Sequence, residues 1–428
     1  MLVMERSYIK EIVEKGKEEK VLVKGWVHDT RELGKIRFLI LRDVTGIIQI
    51  VGVKKENEKV FNEMSQSREN VLEIEGKTQK SKQAPGGIEI VPERIELLAE
   101  AEQPLPIDVS DFSKTELPKR LDYRFLDLHR RRVQAVFKIQ GVLSESFREH
   151  FFNKNFVEIQ PPCIIGAASE GGTELFEVKY FEKKAFLAQS PQLYKQMLAC
   201  SMEKTFTITP VWRAEKHNTT RHINEIRQMD IEAAFNDQMS IMKQLEEVVQ
   251  YMIKRVLESC KEELEILNVK SLKVPKGVYL HYEDAIKKVK GKIGEDFTPE
   301  QEKILCEMYP GDIVFTHSWP SSIKPFYIMP KDGKKDAKES CGFDALYGGV
   351  EISSGGQRIH LPELLIERIK AKGLNPKSFE SYIDSFRYGA PPHAGWSIGL
   401  ERLTQMICGF DNVKEATLFP RDRDRLTP

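Results

Sequence analysis

An excess of charge of either sign is missing from this sequence. Sixty-five Lys and Arg balance sixty-five Asp and Glu in 428 residues. A protein that coats nucleic acid without selectivity carries surplus base, because its affinity comes from neutralising phosphates. A disordered charged tail carries a large net charge and few apolar residues. Both classes are excluded. Cysteine is scarce: Cys163, Cys200, Cys260, Cys306, Cys341 and Cys408 include no CxxC pair. Closely paired thiols would mark a structural zinc site, and dense ones a disulfide scaffold. Scattered cysteines are expected to be free thiols in a reducing cytoplasm. Apolar runs are short, and Ile47–Val53 falls far below the ~18 residues that cross a bilayer. Residues 1–10 contain Glu5, Arg6 and Lys10 and no apolar core of signal length, so neither secretion nor a membrane partner is expected. GxGxxG and GxxxxGKS/T are absent too, which removes two common glycine-rich phosphate cradles. No internal repeat or low-complexity tract appears.

What is present can build cores. Hydrophobic residues make up 40% of the chain, and its length predicts about two to four domains. Residues 1–105 read as a small β domain. Alternating runs at 20–28 and 36–42 lead through a turn to Ile47–Val53, a polar helix-prone stretch covers 56–65, and runs at 71–76 and 88–98 follow. Three strands, a helix and two strands is the order of an OB-fold barrel, a fold that commonly binds oligonucleotides. Sandwiches and other small barrels also offer five strands. Residues 100–106 (EAEQPLP) read as a linker, and 106–130 are assigned to the hinge. Beyond it, Val133, Val136, Phe137, Ile139, Val142, Leu143 and Phe147 predict an amphipathic helix over 131–153, and Met242 to Leu257 predict a second. Short β-type runs lie at 186–188, 205–208, 313–316 and 326–329. Strands mixed with long helices, without a βαβ period, predict an α+β domain on an antiparallel sheet.

Three stretches concentrate chemistry. Residues 206–235 begin and end apolar and carry Arg213, Glu215, Lys216, His217, Arg221, His222, Glu225 and Arg227 between. They predict two antiparallel strands joined by a charged loop. Arginines there suit a polyphosphate, because guanidinium offers paired planar donors to its oxygens. Charge alone also fits a solvated surface hairpin. Residues 391–402 (PPHAGWSIGLER) set Gly395 and Gly399 around a short apolar strand, with Glu401 and Arg402 opening a helix. Small residues let a ligand lie against the backbone. Arg402 can meet a purine face and a phosphate together, or be an ordinary surface arginine. Residues 350–360 (VEISSGGQRIH) offer Glu351 and Ser354 to a hard cation and Arg358 to a carboxylate, or form a glycine turn beside a strand.

These stretches join other motifs: 156–161 (FVEIQP), Arg213-Ala214-Glu215 through Arg221-His222-Ile223, Gly399-Leu400-Glu401-Arg402, 168–174 (ASEGGTE), 189–196 (QSPQLYKQ), 352–358 (ISSGGQR) and 419–423 (FPRDR). On them the chain resembles the class II aminoacyl-tRNA synthetases, specifically the archaeal-type aspartyl-tRNA synthetases of subclass IIb, over essentially its whole length. The resemblance implies an N-terminal OB-fold anticodon-binding domain at 1–105 and a class II catalytic domain at 131–428, an antiparallel sheet flanked by helices. It implies an ATP- and Mg²⁺-dependent ligase that makes aspartyl-adenylate from L-aspartate and passes the aspartyl group to tRNA. It also implies a homodimer joined through residues 131–162. By motif matching, Arg213 touches the α-phosphate and the aspartate carboxylate, and Glu215 reads the adenine amino group. Arg221, His222 and Ile223 line the bent triphosphate, and Arg402 stacks on adenine and meets the γ-phosphate. Ala214, Glu351, Gly399, Leu400 and Glu401 complete the ATP set. Glu351 and Ser354 hold Mg²⁺, with Ser354 also in the aspartate set. Lys195 and Arg358 grip the aspartate side chain, while Glu170, Gln192 and Asp230 surround its ammonium. Residues 167–173 match a loop that closes over aspartate. Trp396 and Ile398 depart from the usual residues of the third motif but keep the strand apolar.

In the N-terminal domain the resemblance assigns Phe38 to stacking on the central anticodon base, and Gln49 and Glu89 to its edge. His28 and Pro85 stand where discriminating members tend to carry Trp and Lys. That implies a non-discriminating enzyme acting on both tRNA(Asp) and tRNA(Asn). The alternatives are a discriminating aspartyl-tRNA synthetase and, from another class, a non-catalytic synthetase-like tRNA-binding protein. Residues 1–105 hold 18 Lys and Arg against 19 Asp and Glu. Recognition of tRNA is therefore expected to rest on placed residues rather than on bulk charge.

Overall fold

A computed structural model describes residues 4–166 and 175–428. The chain forms two compact units, Met1–Asp108 and Val109–Pro428.

In the first unit, β1 (Lys20–Leu33), β2 (Ile36–Arg42), β3 (Ile47–Val53), β4 (Val71–Lys80) and β5 (Ile88–Ala99) close into a barrel in the order β1-β2-β3-β5-β4. Side chains alternate across a strand, so every second residue points inward. Val21 and Val23, Leu39 and Leu41, Ile48 and Ile50, Leu72 and Ile74, and Ile88 and Ile90 fill one core. Helix α1 (Ile9–Lys15) is not foreseen in the sequence reading, and it seals that core with Ile9 and Ile12. Helix α2 (Glu58–Glu63) follows β3, its N-terminus capped by the Asn57 side chain, which accepts from the Val60 amide.

The second unit is built on one sheet of eight strands: β6 (Val157–Glu158), β7 (Lys204–Trp212), β8 (Glu225–Ala234), β9 (Gly277–His281), β10 (Ile313–His317), β11 (Gly342–Tyr347), β12 (Val350–Gln357) and β13 (His393–Gly399). Their order is β9-β10-β11-β12-β13-β8-β7-β6. The expected antiparallel arrangement describes the centre, from β10 to β7. Each edge adds a parallel pair, β9 with β10 and β6 with β7.

Helices α3 (Arg131–Asn153) and α4 (Gln238–Ser259) cover one face. Ile139, Leu143, Phe147 and Phe151 recur every four residues, so they form the stripe of α3 that meets the sheet. A capping box starts α4: Asp237 accepts from the Ser240 amide, and Ser240 accepts from that of Asp237. The Trp396 ring lies 6.2 Å from Phe147 and 5.8 Å from Phe151 in this core. Met229 and Ile231 of β8 and Trp396 and Ile398 of β13 face it. Gln228, Asp230 and Glu232, with Gly395 and Ser397, therefore face the other side.

Two local expectations change. Residues 109–130 carry short helices at Leu117–Asp122 and Arg124–Asp127. Arg124 is fully buried, paired with Asp127 at 2.7 Å and bonded to the carbonyls of Glu415, Thr417 and Leu418, so this part of the assigned hinge packs into the second unit. The apolar run at 326–329 forms an isolated bridge, Ile328 to Arg358, instead of a strand. Pro325, just before the run, has no amide with which to extend the pairing. The side chains of the run instead join a small core with Leu365, Ile369 and Tyr382. Among the described residues, no helix is long and apolar enough to cross a membrane.

Candidate active site

A cavity of about 420 Å³ lies on the sheet face opposite the α3–α4 core and is walled by residues far apart in sequence. Gln192, Lys195, Arg213, Glu215, Arg221, His222, Ile223, Asp230, Glu351, Ser354, Arg358, Gly399, Glu401 and Arg402 all line it. The residues assigned to aspartate, ATP and Mg²⁺ are thus gathered in one site, with three exceptions. Glu170, with the rest of 167–174, lies outside the described residues. Ala214 is not on the wall. Leu400 is buried in the hydrophobic core, the first residue of helix α5 (Leu400–Cys408), so its side chain is unavailable to a nucleotide.

One end of the cavity is a buried charge quartet. Lys195, Asp230, Glu232 and Arg358 are each at most 2% exposed. Lys195 Nζ donates to Asp230 Oδ1 at 2.8 Å and to the Trp396 carbonyl at 3.1 Å. Arg358 donates through Nε to Glu232 Oε1 at 2.9 Å and through Nη2 to Oε2 at 3.3 Å. Ions taken from water persist only when paired. Burial opposes ionisation of Glu232, but the charges of Arg358 and Lys195 outweigh it and hold its carboxyl below the usual range. Asp230, assigned to the substrate ammonium, accepts from Lys195 through Oδ1 and from the Ser397 hydroxyl through Oδ2 at 3.2 Å, which fixes its carboxylate at the cavity wall. Glu232 was missed in the sequence reading. Its only signal was alternation, since it falls two residues after Asp230 on the same face of β8. Gly395 belongs to this arrangement. A Cβ there would meet Glu232 Oε2 at 2.2 Å, so the small residue makes room for a carboxylate of the protein rather than for a ligand.

The other end is arginine-rich. The Arg213 guanidinium makes no hydrogen bond or ion pair with any described residue, so it is available to a ligand. Asn224 Nδ2 donates to the carbonyls of Arg213 at 2.7 Å and Glu215 at 3.1 Å, which fixes the start of the charged loop. His222 Nε2 stands 3.7 Å from Glu215. Burial, only partly offset by Glu215, holds the imidazole below its ordinary value. Arg221 is tied to Glu302 at 3.0 Å and to the Gly349 carbonyl at 3.2 Å. Arg402 donates to the Glu351 carbonyl at 2.9 Å. Glu401 is 5% exposed and accepts from the Arg227 amide through both oxygens, at 3.0 and 3.1 Å, which fastens α5 to β8.

Glu351 and Ser354 are three apart in a strand, which would normally send them to opposite faces. A bulge between β11 and β12 breaks the register at this point, where Ala345 faces Ser353 but Leu346 faces Glu351. The extra residue returns both side chains to the cavity. A carboxylate and a hydroxyl are hard oxygen donors that suit Mg²⁺ beside phosphates. Burial, then the Asp344 charge, push the Glu351 carboxyl up, a penalty that a bound cation relieves. The residues present fit that ion.

The barrel has a separate candidate surface. Phe38 is half-buried and alternates with the buried Leu39 and Leu41, which puts it outside the core. Ile40 pairs with Gln49, and Gln49 with Glu89, so Phe38, Gln49 and Glu89 share one outer face. Glu89 is 7% exposed and accepts from Gln49 at 2.7 Å and from Gln79 at 2.9 Å. It therefore orients two amides, and Gln79 is an addition to the sequence-derived set. His28 is the bulged residue of β1, between Val27 facing Leu41 and Asp29 facing Ile40, and its Nδ1 lies 3.3 Å from Arg42. Pro85 is exposed at the start of the 3₁₀ turn before β5.

Comparison with known proteins agrees with this division. Residues 116–423 match the family described as tRNA synthetases class II (D, K and N). Residues 21–98 match the OB-fold nucleic acid binding domain of the tRNA anticodon type. A protein of Archaeoglobus fulgidus named aspartate–tRNA(Asp/Asn) ligase is 46% identical, covering 99% of this chain and 100% of its own. One of Pyrococcus horikoshii named aspartate–tRNA(Asp) ligase is 44% identical, covering 98% and 99%. Among solved structures, the asparaginyl-tRNA synthetase of P. horikoshii complexed with asparaginyl-adenylate matches with a TM-score of 0.95, at 33% identity over 100% of both chains. The two matched regions and the full-length relatives give one answer: the chain belongs to the class II tRNA synthetases, within the aspartate–tRNA ligases.

Proposed function

We propose that the protein attaches L-aspartate to both tRNA(Asp) and tRNA(Asn), using ATP and Mg²⁺, as a homodimer in the cytoplasm. The buried quartet is the observation that carries the choice of aspartate. Arg358 commits Nε and Nη2 to Glu232, which leaves Nη1 without a partner among the described residues. Lys195 sits beside it, at the wall of the same cavity. A substrate carboxylate placed there completes the donors of both cations. Asparagine would set an amide NH₂ against N–H groups, and a buried polar mismatch of that kind costs about 1–3 kcal/mol or more.

The aspartate α-carboxylate attacks the α-phosphorus of ATP. A P–O bond forms, pyrophosphate leaves with the electrons of the broken bond, and aspartyl-adenylate results. A hydroxyl of the terminal adenosine of tRNA then attacks the aspartyl carbonyl and releases AMP. The first step needs no general base, because the nucleophile is already ionised. Catalysis is positioning and charge neutralisation. Arg213, whose guanidinium has no partner among the described residues, is the group set to hold the reacting phosphate and carboxylate together. Arg221 and Arg402 hold the outer phosphates and the adenine face, and Glu215 takes the adenine amino group. Glu351 and Ser354 would hold Mg²⁺, which when bound would supply charge neutralisation for the leaving pyrophosphate.

The barrel face supports reading of the anticodon through Phe38, Gln49 and Glu89. The relaxed choice between tRNA(Asp) and tRNA(Asn) rests on His28 and Pro85. ATP–pyrophosphate exchange without tRNA tests the core of this reading. Exchange driven by aspartate and not by asparagine is expected, with loss in a folded Lys195→Leu variant. No exchange with any amino acid would identify a synthetase-like binding protein instead.

A further inference from the structure

Beside the charge quartet, a second set of buried polar groups forms a chain of hydrogen bonds that ends at the cavity. His393 Nδ1 lies 2.9 Å from the Pro391 carbonyl, and its Nε2 lies 3.0 Å from Gln196 Nε2. Gln196 Oε1 accepts from Gln192 Nε2 at 2.7 Å and from the Tyr382 hydroxyl at 2.9 Å. Gln192 is 5% exposed, Tyr382 2%, and Gln196 and His393 0%, so water does not compete along the chain. The Phe386 ring is stacked on His393 at 5.6 Å and holds the imidazole plane.

The direction of this chain is fixed at its far end. A proline carbonyl can only accept, so His393 Nδ1 carries the hydrogen. Burial lowers the pKa of His393 and favours the neutral ring. In that ring Nε2 is an acceptor, and Gln196 must turn its NH₂ toward it. The Gln196 carbonyl is then left for Tyr382 and Gln192. Gln192 answers with its own NH₂, which leaves its Oε1 for the cavity, where it has no protein partner among the described residues. An amide can present either end to a ligand at almost equal cost. Here a backbone carbonyl three links away decides which.

We propose that Gln196 and His393 are positioning residues that lock Gln192 with its carbonyl oxygen toward the α-ammonium of the amino-acid substrate. A reversed Gln192 would point its NH₂ at that ammonium, donor against donor. This inference rests on the reading that the cavity takes aspartate, and it adds how the ammonium end is recognised.

Gln196→Leu removes the acceptor and frees the Gln192 amide to turn. Gln196→Glu keeps an acceptor oxygen for both Gln192 and Tyr382. In pyrophosphate exchange, Gln196→Leu is expected to raise the KM for aspartate about 10-fold or more, with the KM for ATP unchanged. Gln196→Glu is expected to recover most of that loss. Inhibition by succinate, which is aspartate without its ammonium, should be the same in Gln196→Leu as in wild type. If Gln196→Leu does not fold, Tyr382→Phe gives the same reading. It keeps the ring, removes one of the two donors to Gln196 Oε1, and should raise the KM for aspartate without weakening succinate. An unchanged aspartate KM, a parallel loss of aspartate and succinate, or a Gln196→Glu enzyme no better than Gln196→Leu would overturn the proposal. Wild-type protein without aspartate-dependent exchange would overturn the underlying reading instead.

Discussion

Glu232 and Arg358 form a two-point ion pair inside the protein, with Nε to Oε1 at 2.9 Å and Nη2 to Oε2 at 3.3 Å. The pair fixes the edge of the guanidinium that is left to face the substrate. Removing one member of a buried pair strands the other, at a typical cost of about 3–5 kcal/mol. Glu232→Ala is therefore expected to lower the unfolding free energy by about that amount and to abolish aspartate activation. Denaturant unfolding and pyrophosphate exchange read the two effects, and a folded, active variant would remove Glu232 from the site.

The glycines of β13 should differ sharply. A methyl at Gly395 would lie 2.2 Å from Glu232 Oε2 and 2.3 Å from the Ile231 carbonyl, whereas at Gly399 the nearest atom is Arg402 Cβ at 3.8 Å. Gly395→Ala is expected to lose both stability and exchange activity. Gly399→Ala should fold normally and raise only the KM for ATP. Thermal unfolding of the two variants side by side checks this.

Glu302 gives a pH prediction. Burial, then the charge of Glu351, push its carboxyl up to about 7. The protonated form is thus favoured in the native state relative to an unfolded glutamate, near pH 4.3. The stability it contributes is complete below the unfolded value and is lost as pH rises through about 7. Below that pH the neutral carboxyl also weakens its hold on Arg221 Nη1, which can then turn to phosphate while Nη2 stays on the Gly349 carbonyl. The KM for ATP is expected to rise with pH across this range in wild type, and to rise less in Glu302→Gln. The difference between the two enzymes removes the titration of ATP itself.

Much of this site was legible in the sequence, because its residue types sit in fixed motifs. Arg213, Glu215, Arg402, Lys195 and Arg358 are all found on one cavity. The barrel was legible from strand alternation, down to the helix between its third and fourth strands. Other features were not, and each has a physical cause. Glu232 looked like one more strand residue, since its role comes from cross-strand neighbours that only the fold supplies. Leu400 was grouped with Glu401 and Arg402 by motif, but a helix turns each residue about a third of a circle, and Leu400 faces the core. The pairing of Glu351 with Ser354 on one face depends on a bulge that no local pattern announces. The run at 326–329 had strand composition, but it pairs only through isolated bridges, with Pro325 unable to donate at its start.

On the barrel, Phe38→Ala should weaken aminoacylation by about 1–3 kcal/mol, the worth of one base stacked on an aromatic. Exchange without tRNA should be unchanged, because the cavity proposed to make the adenylate is lined by residues of the second unit. Parallel measurement of the two activities separates an anticodon contact from a fold defect.

On the proposed function, this enzyme places aspartate on two tRNAs. Charging of otherwise identical transcripts carrying the anticodons GUC and GUU, with labelled aspartate, tests it most directly. Comparable kcat/KM on both is the predicted result. Aspartylation of the GUC transcript with negligible charging of the GUU transcript would contradict it.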